Sequence, residues 1–218
     1  MRTIRTTGSG LIRLQPDTTC ITMTLTGLDP DYGEALRRSS ADTETLRGVL
    51  TGFGFARTDL KTLGFHVSTE YESYQDEDNT YKERFAGYRF RHVLKVEFDS
   101  DNDRLGKVLY ALANGSVSPE LRISFTVRDQ EAAKKTLLAK AVADAREKAE
   151  LLALAGGVAL RDIQTIDYSW GAISFESAPL FDGVMAKSRM AAGASYDLAV
   201  EPDEIEVSDT VTVTWEIL

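Results

Sequence analysis

Apolar side chains recur along this chain at two spacings, every second residue and every third or fourth, and blocks of the two spacings alternate. Residues 3–14 alternate loosely and carry Gly-Ser-Gly at 8–10. Glycine inside a strand marks a bulge or the close approach of another backbone. Pro16-Asp17 makes a turn. In 18–26, Ile21, Met23 and Leu25 share one face and Cys20, Thr22, Thr24 and Thr26 the other, which predicts a half-buried strand. Asp29-Pro30 then offers a cap and a first-turn proline. Tyr32, Leu36, Ser39, Thr43, Leu46, Leu50 and Phe53 follow at steps of three and four, one face of a helix of about 22 residues. Gly52 and Gly54 end it.

Alternation resumes with Leu63, Phe65 and Val67. An acidic tip, QDEDNT at 75–80, leads to a return strand with Tyr88, Phe90, His92, Leu94, Val96 and Phe98 on one face. A short helix over about 102–114 carries Leu105, Val108, Leu109 and Leu112. The scheme then restarts. Ile123, Phe125 and Val127 alternate, Asp129 can cap, and a long helix follows with Leu138, Ala141, Ala145, Ala149 and Leu152 in one stripe, ended by Gly156-Gly157. Alanines in that stripe let the helix approach its partner closely. Ile166, Tyr168 and Trp170 start another strand, and 207–217 form the last.

The block TDLKTL at 58–63 returns as RDIQTI at 161–166, with Gly54 and Ala56 standing as far ahead of the first as Gly157 and Ala159 stand ahead of the second. Each copy lies where a long helix should turn into a strand. The reading is a duplicated strand–helix–strand–strand unit, about 18–98 and 121–217, joined by the short helix. The expected fold class is α+β, with largely antiparallel sheet and the long helices packed on one face.

Composition narrows the function. The chain has 218 residues, enough for a sizeable core, and a net charge of −9, opposite to the basic excess of a nucleic-acid binder. Cys20 is the only cysteine, so neither an internal disulfide nor a thiolate zinc site can form. No apolar run is long enough to span a membrane. The start, MRTIRTTGSG, lacks the apolar core of a signal peptide. The chain as given is therefore expected to be cytoplasmic, or periplasmic if a leader was removed.

Several stretches resemble those of the SIMPL-domain family: GSG at 8–10, PD at 16–17, DLKT at 59–62, GY at 87–88 and, most specifically, ISFTVRDQEAAKKTLLAKAVADAREKAELLALAGG at 123–157. The likeness spans nearly the whole chain, as a single domain over 1–218. The chain departs from the family pattern in GFHVSTEYESY after DLKT and in Pro202-Asp203 before the last strand. The resemblance implies an α+β fold, a tendency to form homo-oligomers, and an association with envelope or stress proteins. It implies no established catalytic site.

Chemistry is sparse. His92 lies between Phe90 and Leu94 on an apolar face and reads as a hydrogen-bonded core histidine; His66 falls on the opposite face from Phe65 and Val67. Cys20 has no charged neighbour within two residues, so an inert thiol is expected. DSDNDRLGKVLY at 99–110 imitates the start of a calcium loop, but Arg104 stands where glycine and Tyr110 where glutamate are needed. GSGLIR at 8–13 lacks the third glycine of a dinucleotide loop and opens a strand. No catalytic residue, metal ligand or cofactor is assigned. The reading is a non-enzymatic, oligomer-forming scaffold or binding protein; the alternative is a ligand-binding protein or enzyme whose site forms between subunits. Segment 171–199 has four glycine or proline residues yet is rich in apolar side chains. Phe175, Leu180, Phe181, Met185 and Met190 are its candidate subunit contacts, unless the segment folds back over its own sheet.

Overall fold

A computed structural model describes residues 2–76, 78–169, 171, 173–177 and 202–218. Its elements run β1 (Arg2–Leu14), β2 (Thr18–Asp29), α1 (Tyr32–Thr51), β3 (Lys61–Gln75), β4 (Tyr81–Asp99), α2 (Asn102–Ala113), β5 (Glu120–Thr126), α3 (Gln130–Ala155), β6 (Leu160–Asp167) and β7 (Ile205–Ile217). The strands form two antiparallel sheets, one ordered β3-β4-β2-β5 and the other β1-β7-β6. The fold is α+β, and the chain divides into two compact units, one around each sheet.

In the four-stranded unit, α1 packs chiefly on β2 and β4. Ile21, Met23, Phe90, Leu94 and Val96 from the sheet meet Leu46 and Leu50 from α1 and Leu105 and Leu109 from α2 in one core. The helix is capped by Asp31, whose side chain accepts the Glu34 amide, and not by Asp29 as the sequence suggested. The buried stripe is Ala35, Ser39, Thr43, Leu46 and Leu50. Tyr32 and Leu36, expected to be buried, are exposed at the rim. Ala35 fills the buried position at that end of the stripe, and Tyr32 instead sets its ring edge-on to Tyr88.

The strand β3 shows a second departure. Leu63 is 56% and Phe65 45% exposed, although their alternation predicts a buried face. The strand lies at the sheet edge, and a bulge between Thr62 and Gly64 pushes Leu63 out of register. Only Val67 of the three packs against the core.

In the three-stranded unit, β1 pairs with β7 along its whole length, from Arg2 opposite Ile217 to Leu14 opposite Ile205. The helix α3 lies on both strands. Its buried stripe is Ala133, Leu137, Ala141, Ala145, Ala149 and Ala153. Leu138 is only partly buried and Leu152 is exposed; Leu137 and Ala153 take their places, and the stripe extends one turn further to Ala133. The reason is backbone contact. A Cβ on Gly8 would stand 2.0 Å from the Ala141 carbonyl oxygen, and one on Gly10 2.2 Å from that of Leu137. Thr6 Oγ1 donates to the Ala145 carbonyl at 2.8 Å, and Trp215 Nε1 donates to Thr6 Oγ1 at 3.3 Å. Ile163 and Ile166 of β6 are exposed, because α3 covers β1 and β7 and barely reaches β6.

The repeated blocks both sit where a long helix gives way to a strand. Gly54 and Gly157 hold φ of 80° and 64°, a left-handed conformation that glycine adopts at little cost. Asp59 accepts the Ala56 amide at 2.8 Å in the first turn, whereas Asp162 lies within β6. The strand expected to open the second unit, β5, stands in the four-stranded sheet.

Candidate functional site

Two surface features of the four-stranded unit carry chemistry. The first is a cleft of about 270 Å³ between α1 and the outer part of the sheet. His92 forms its floor. Its Nδ1 lies 3.2 Å from Ser39 Oγ and 3.2 Å from Thr43 Oγ1, and its Nε2 lies 3.0 Å from Thr62 Oγ1. The Thr43 hydroxyl donates to the Ser39 carbonyl at 2.8 Å. With that proton spent, Thr43 Oγ1 accepts from the ring, which places the imidazole proton on Nδ1. Nε2 then accepts from Thr62, whose side chain the bulge turns toward the same face as Leu94. Phe65 stands edge-on to the ring at 5.1 Å.

Burial, and then the nearby Arg47 guanidinium, push the His92 imidazole below its ordinary value, so the ring is neutral at pH 7. Arg47 and Glu44 also line the cleft and pair with each other, and Arg57 reaches the same carboxylate. The hydrogen bond from Arg57, aided by Arg47, holds Glu44 below the usual carboxylate range. The Arg47 Nε is buried without a hydrogen-bond partner among the described residues.

His92 gives a pH prediction with a fixed sign. Its folded-state value is depressed, so the stability it contributes is present above about pH 6.5. It is lost as pH falls through the lower folded value. The carboxylates held low by partners, such as Glu44 and Asp144, act only further down, below the ordinary carboxylate range. The unfolding midpoint is therefore expected to begin falling just below pH 6.5, and His92→Gln should flatten that first phase. Parallel denaturant curves across pH 5–8 check this, and identical slopes in parent and variant would refute it.

The second feature is the β3–β4 hairpin. Tyr71 lies opposite Phe85, and a register shift at Glu70/Tyr71 leaves Ala86 unpaired, so that Phe85 and Tyr88 share a face. An edge-to-face row results: Tyr32–Tyr88 at 5.4 Å, Tyr88–Phe85 at 5.2 Å and Phe85–Tyr71 at 5.9 Å. Tyr71 is 59%, Tyr32 49% and Phe85 45% exposed. The opposite face is charged: Arg84 pairs with Glu72, and Arg89 pairs with Glu70 at 2.9 Å. The hairpin is thus an amphipathic ribbon with its aromatic side open.

The other sequence candidates are scattered. His66 is exposed on the face that carries Arg91, away from the cleft. Asp101 caps α2 by accepting the Arg104 amide at 3.0 Å, and Asp99 ends β4 opposite Thr18. Phe175 is 4% exposed and packs with Ile12, Leu137 and Val207 in the core of its own unit. Its carbonyl accepts from Thr126 Oγ1 at 2.9 Å. Leu180, Phe181, Met185 and Met190, and likewise Trp170, lie outside the described residues.

Cys20 is buried, and burial pushes its thiol up despite an opposing hydrogen bond from Ser124. Cys20 should therefore react with a thiol reagent at pH 7 far more slowly than in denaturant. Reaction at the rate of an open, low-pKa thiol would contradict the buried placement.

The periodicity puts Ser39 and Thr43 on the inward face of α1 and His92 on the inward face of β4, and does not by itself join them. Two hydroxyl residues inside an apolar helix stripe, facing a lone histidine in an apolar strand, were the available signal.

The described residues thus form an α+β protein with two antiparallel sheets, a long helix on each, and a solvent-open polar cluster around His92. The chain belongs to the SIMPL family, described as "Protein of unknown function (DUF541)", whose profile matches residues 4–215. A comparison with curated proteins gives no match.

Proposed function

We propose that this chain is a non-enzymatic, oligomer-forming scaffold or binding protein, and that the aromatic side of the β3–β4 hairpin is its contact surface. One observation carries the reading. The ribbon holds Tyr71 and Phe85 open in an aromatic row that continues through Tyr88 to the exposed Tyr32 at the start of α1, while its other face carries ion pairs. Contiguous exposed aromatic surface rimmed by charge is the composition of a contact site. Aromatic side chains also dominate the energy of such contacts. Among the described residues no strand pairs with the outer edge of β3, which lies along the same ribbon. An envelope or stress setting extends the proposal on the family resemblance alone.

Tyr71→Ser with Phe85→Ser is expected to lower the subunit number and leave the circular dichroism spectrum unchanged. Light scattering coupled to size exclusion reads the first. An unchanged subunit number in the folded double variant would remove the hairpin from the interface.

Duplication belongs with this proposal. The order β3-β4-β2 with α1 has a counterpart in β6-β7-β1 with α3, which supports descent of the two from one unit. A superposition of α1–β4 on α3–β7 that fails to bring Gly54 onto Gly157 would end that idea.

A further inference from the structure

We infer that the cleft over His92 binds a small carboxylate with an apolar body. The size comes first. A cleft of about 270 Å³ exceeds the roughly 150 Å³ cavity that is known to admit benzene, so a single ring with one substituent fits. The walls match such a body. Leu36 and Phe65 are apolar and both partly exposed at the mouth.

The charge is the selective element. The protein as a whole is acidic, at −9, yet around this cleft two guanidinium groups, Arg47 and Arg57, share the one carboxylate of Glu44. Arg57 stands outside the lining, so the positive excess of the two guanidinium groups over Glu44 lies beside the cleft, and Arg47 is the guanidinium that lines it. Arg47 reaches Glu44 through Nη1, while its Nε is buried and without an acceptor among the described residues. An arginine N–H without an acceptor is a costly arrangement, and a carboxylate is the group whose two oxygens fit the edge of a guanidinium. A carboxylate entering beside Leu36 and Phe65 meets that edge after a small turn of the Arg47 side chain.

The floor completes the site. Ser39, Ser40 and Thr43 line the cleft with hydroxyls. The neutral His92 has both ring nitrogens engaged, Nδ1 with Ser39 and Thr43 and Nε2 with Thr62. It therefore acts as a positioning residue that fixes the hydroxyl floor. An amine would meet Arg47 unfavourably and find only a carboxylate already held by two arginines. This site lies within a single chain and stands independently of the assembly proposed above.

The test is an NMR titration of the full-length ¹⁵N-labelled protein with benzoate, benzyl alcohol and benzylamine at constant pH and ionic strength. Benzoate is expected to give saturable shifts at Ser39, Ser40, Thr43 and the His92 ring. Benzyl alcohol should bind at least tenfold more weakly, and benzylamine should give no saturable shifts. Arg47→Gln should weaken benzoate at least tenfold and leave benzyl alcohol unchanged. Phe65→Ser, at an exposed position where folding is not at stake, should weaken both. Absence of saturable benzoate shifts, equal binding of benzylamine, or unchanged benzoate affinity in the folded Arg47→Gln variant would overturn the inference.

Discussion

Gly8→Ala is expected to cost about 3 kcal/mol or more, because it overpacks a contact that has no room to give. The added Cβ would lie 2.0 Å from the Ala141 carbonyl oxygen and 2.3 Å from the Ala145 amide nitrogen. Both are helix backbone, so relief requires α3 to lift off β1. Lifting it breaks the bond from Thr6 Oγ1 to the Ala145 carbonyl and the one from the Ser9 amide to Asp144 Oδ2 at 2.6 Å. It also opens the alanine stripe, whose short side chains permit the approach. Gly48→Ala is the control. A Cβ there meets nothing within 4 Å, and the position is an exposed turn of α1, so a gain of about 1 kcal/mol is expected from helix propensity. Denaturant unfolding of both variants checks the contrast. A Gly8→Ala protein as stable as the parent would mean that α3 does not rest on β1 in this way.

Phe90→Ala should cost about 3–5 kcal/mol, the usual range for emptying a buried aromatic site. Phe90 is fully buried in the core of the four-stranded unit. Its ring lies over Gly27, which faces it across the β2–β4 pair. A Cβ on Gly27 would stand 2.4 Å from the Phe90 ring, so the glycine is there to admit the phenylalanine. Gly27→Ala alone should therefore destabilise the fold. In the Phe90→Ala background the same change fills part of the cavity and should recover stability. The coupling in the double-mutant cycle is the decisive quantity, and strictly additive effects would refute the packing described.

The elements themselves were legible because strand and helix periodicities differ so plainly here. Ile21, Met23 and Leu25 in β2 and Phe90, Leu94 and Val96 in β4 lie on the buried face that their alternation predicts. Alternation does not say which strand is an edge. Leu63, Phe65 and Ile166 follow the buried pattern and are exposed, since α1 rests chiefly on β2 and β4 and α3 on β1 and β7, leaving β3 and β6 largely uncovered. The Gly-Ser-Gly run pointed to a close backbone approach, and the structure supplies the partner, α3. Local pattern also could not place β5, because pairing depends on chain topology and not on the strand's own residues. The cleft was half legible. Its polar residues sat at inward positions, but their meeting depends on the bulge that turns Thr62 toward His92. Phe175 lies in an apolar segment with turn residues, whose pattern left subunit contact and folding back over its own sheet both open, and the residue packs in the core of its own unit.

Native mass spectrometry of the unmodified chain tests the central claim most directly. The proposal of an assembling protein predicts a discrete species of more than one subunit, which the Tyr71→Ser, Phe85→Ser variant reduces. A parent chain that is monomeric at every concentration examined would contradict it.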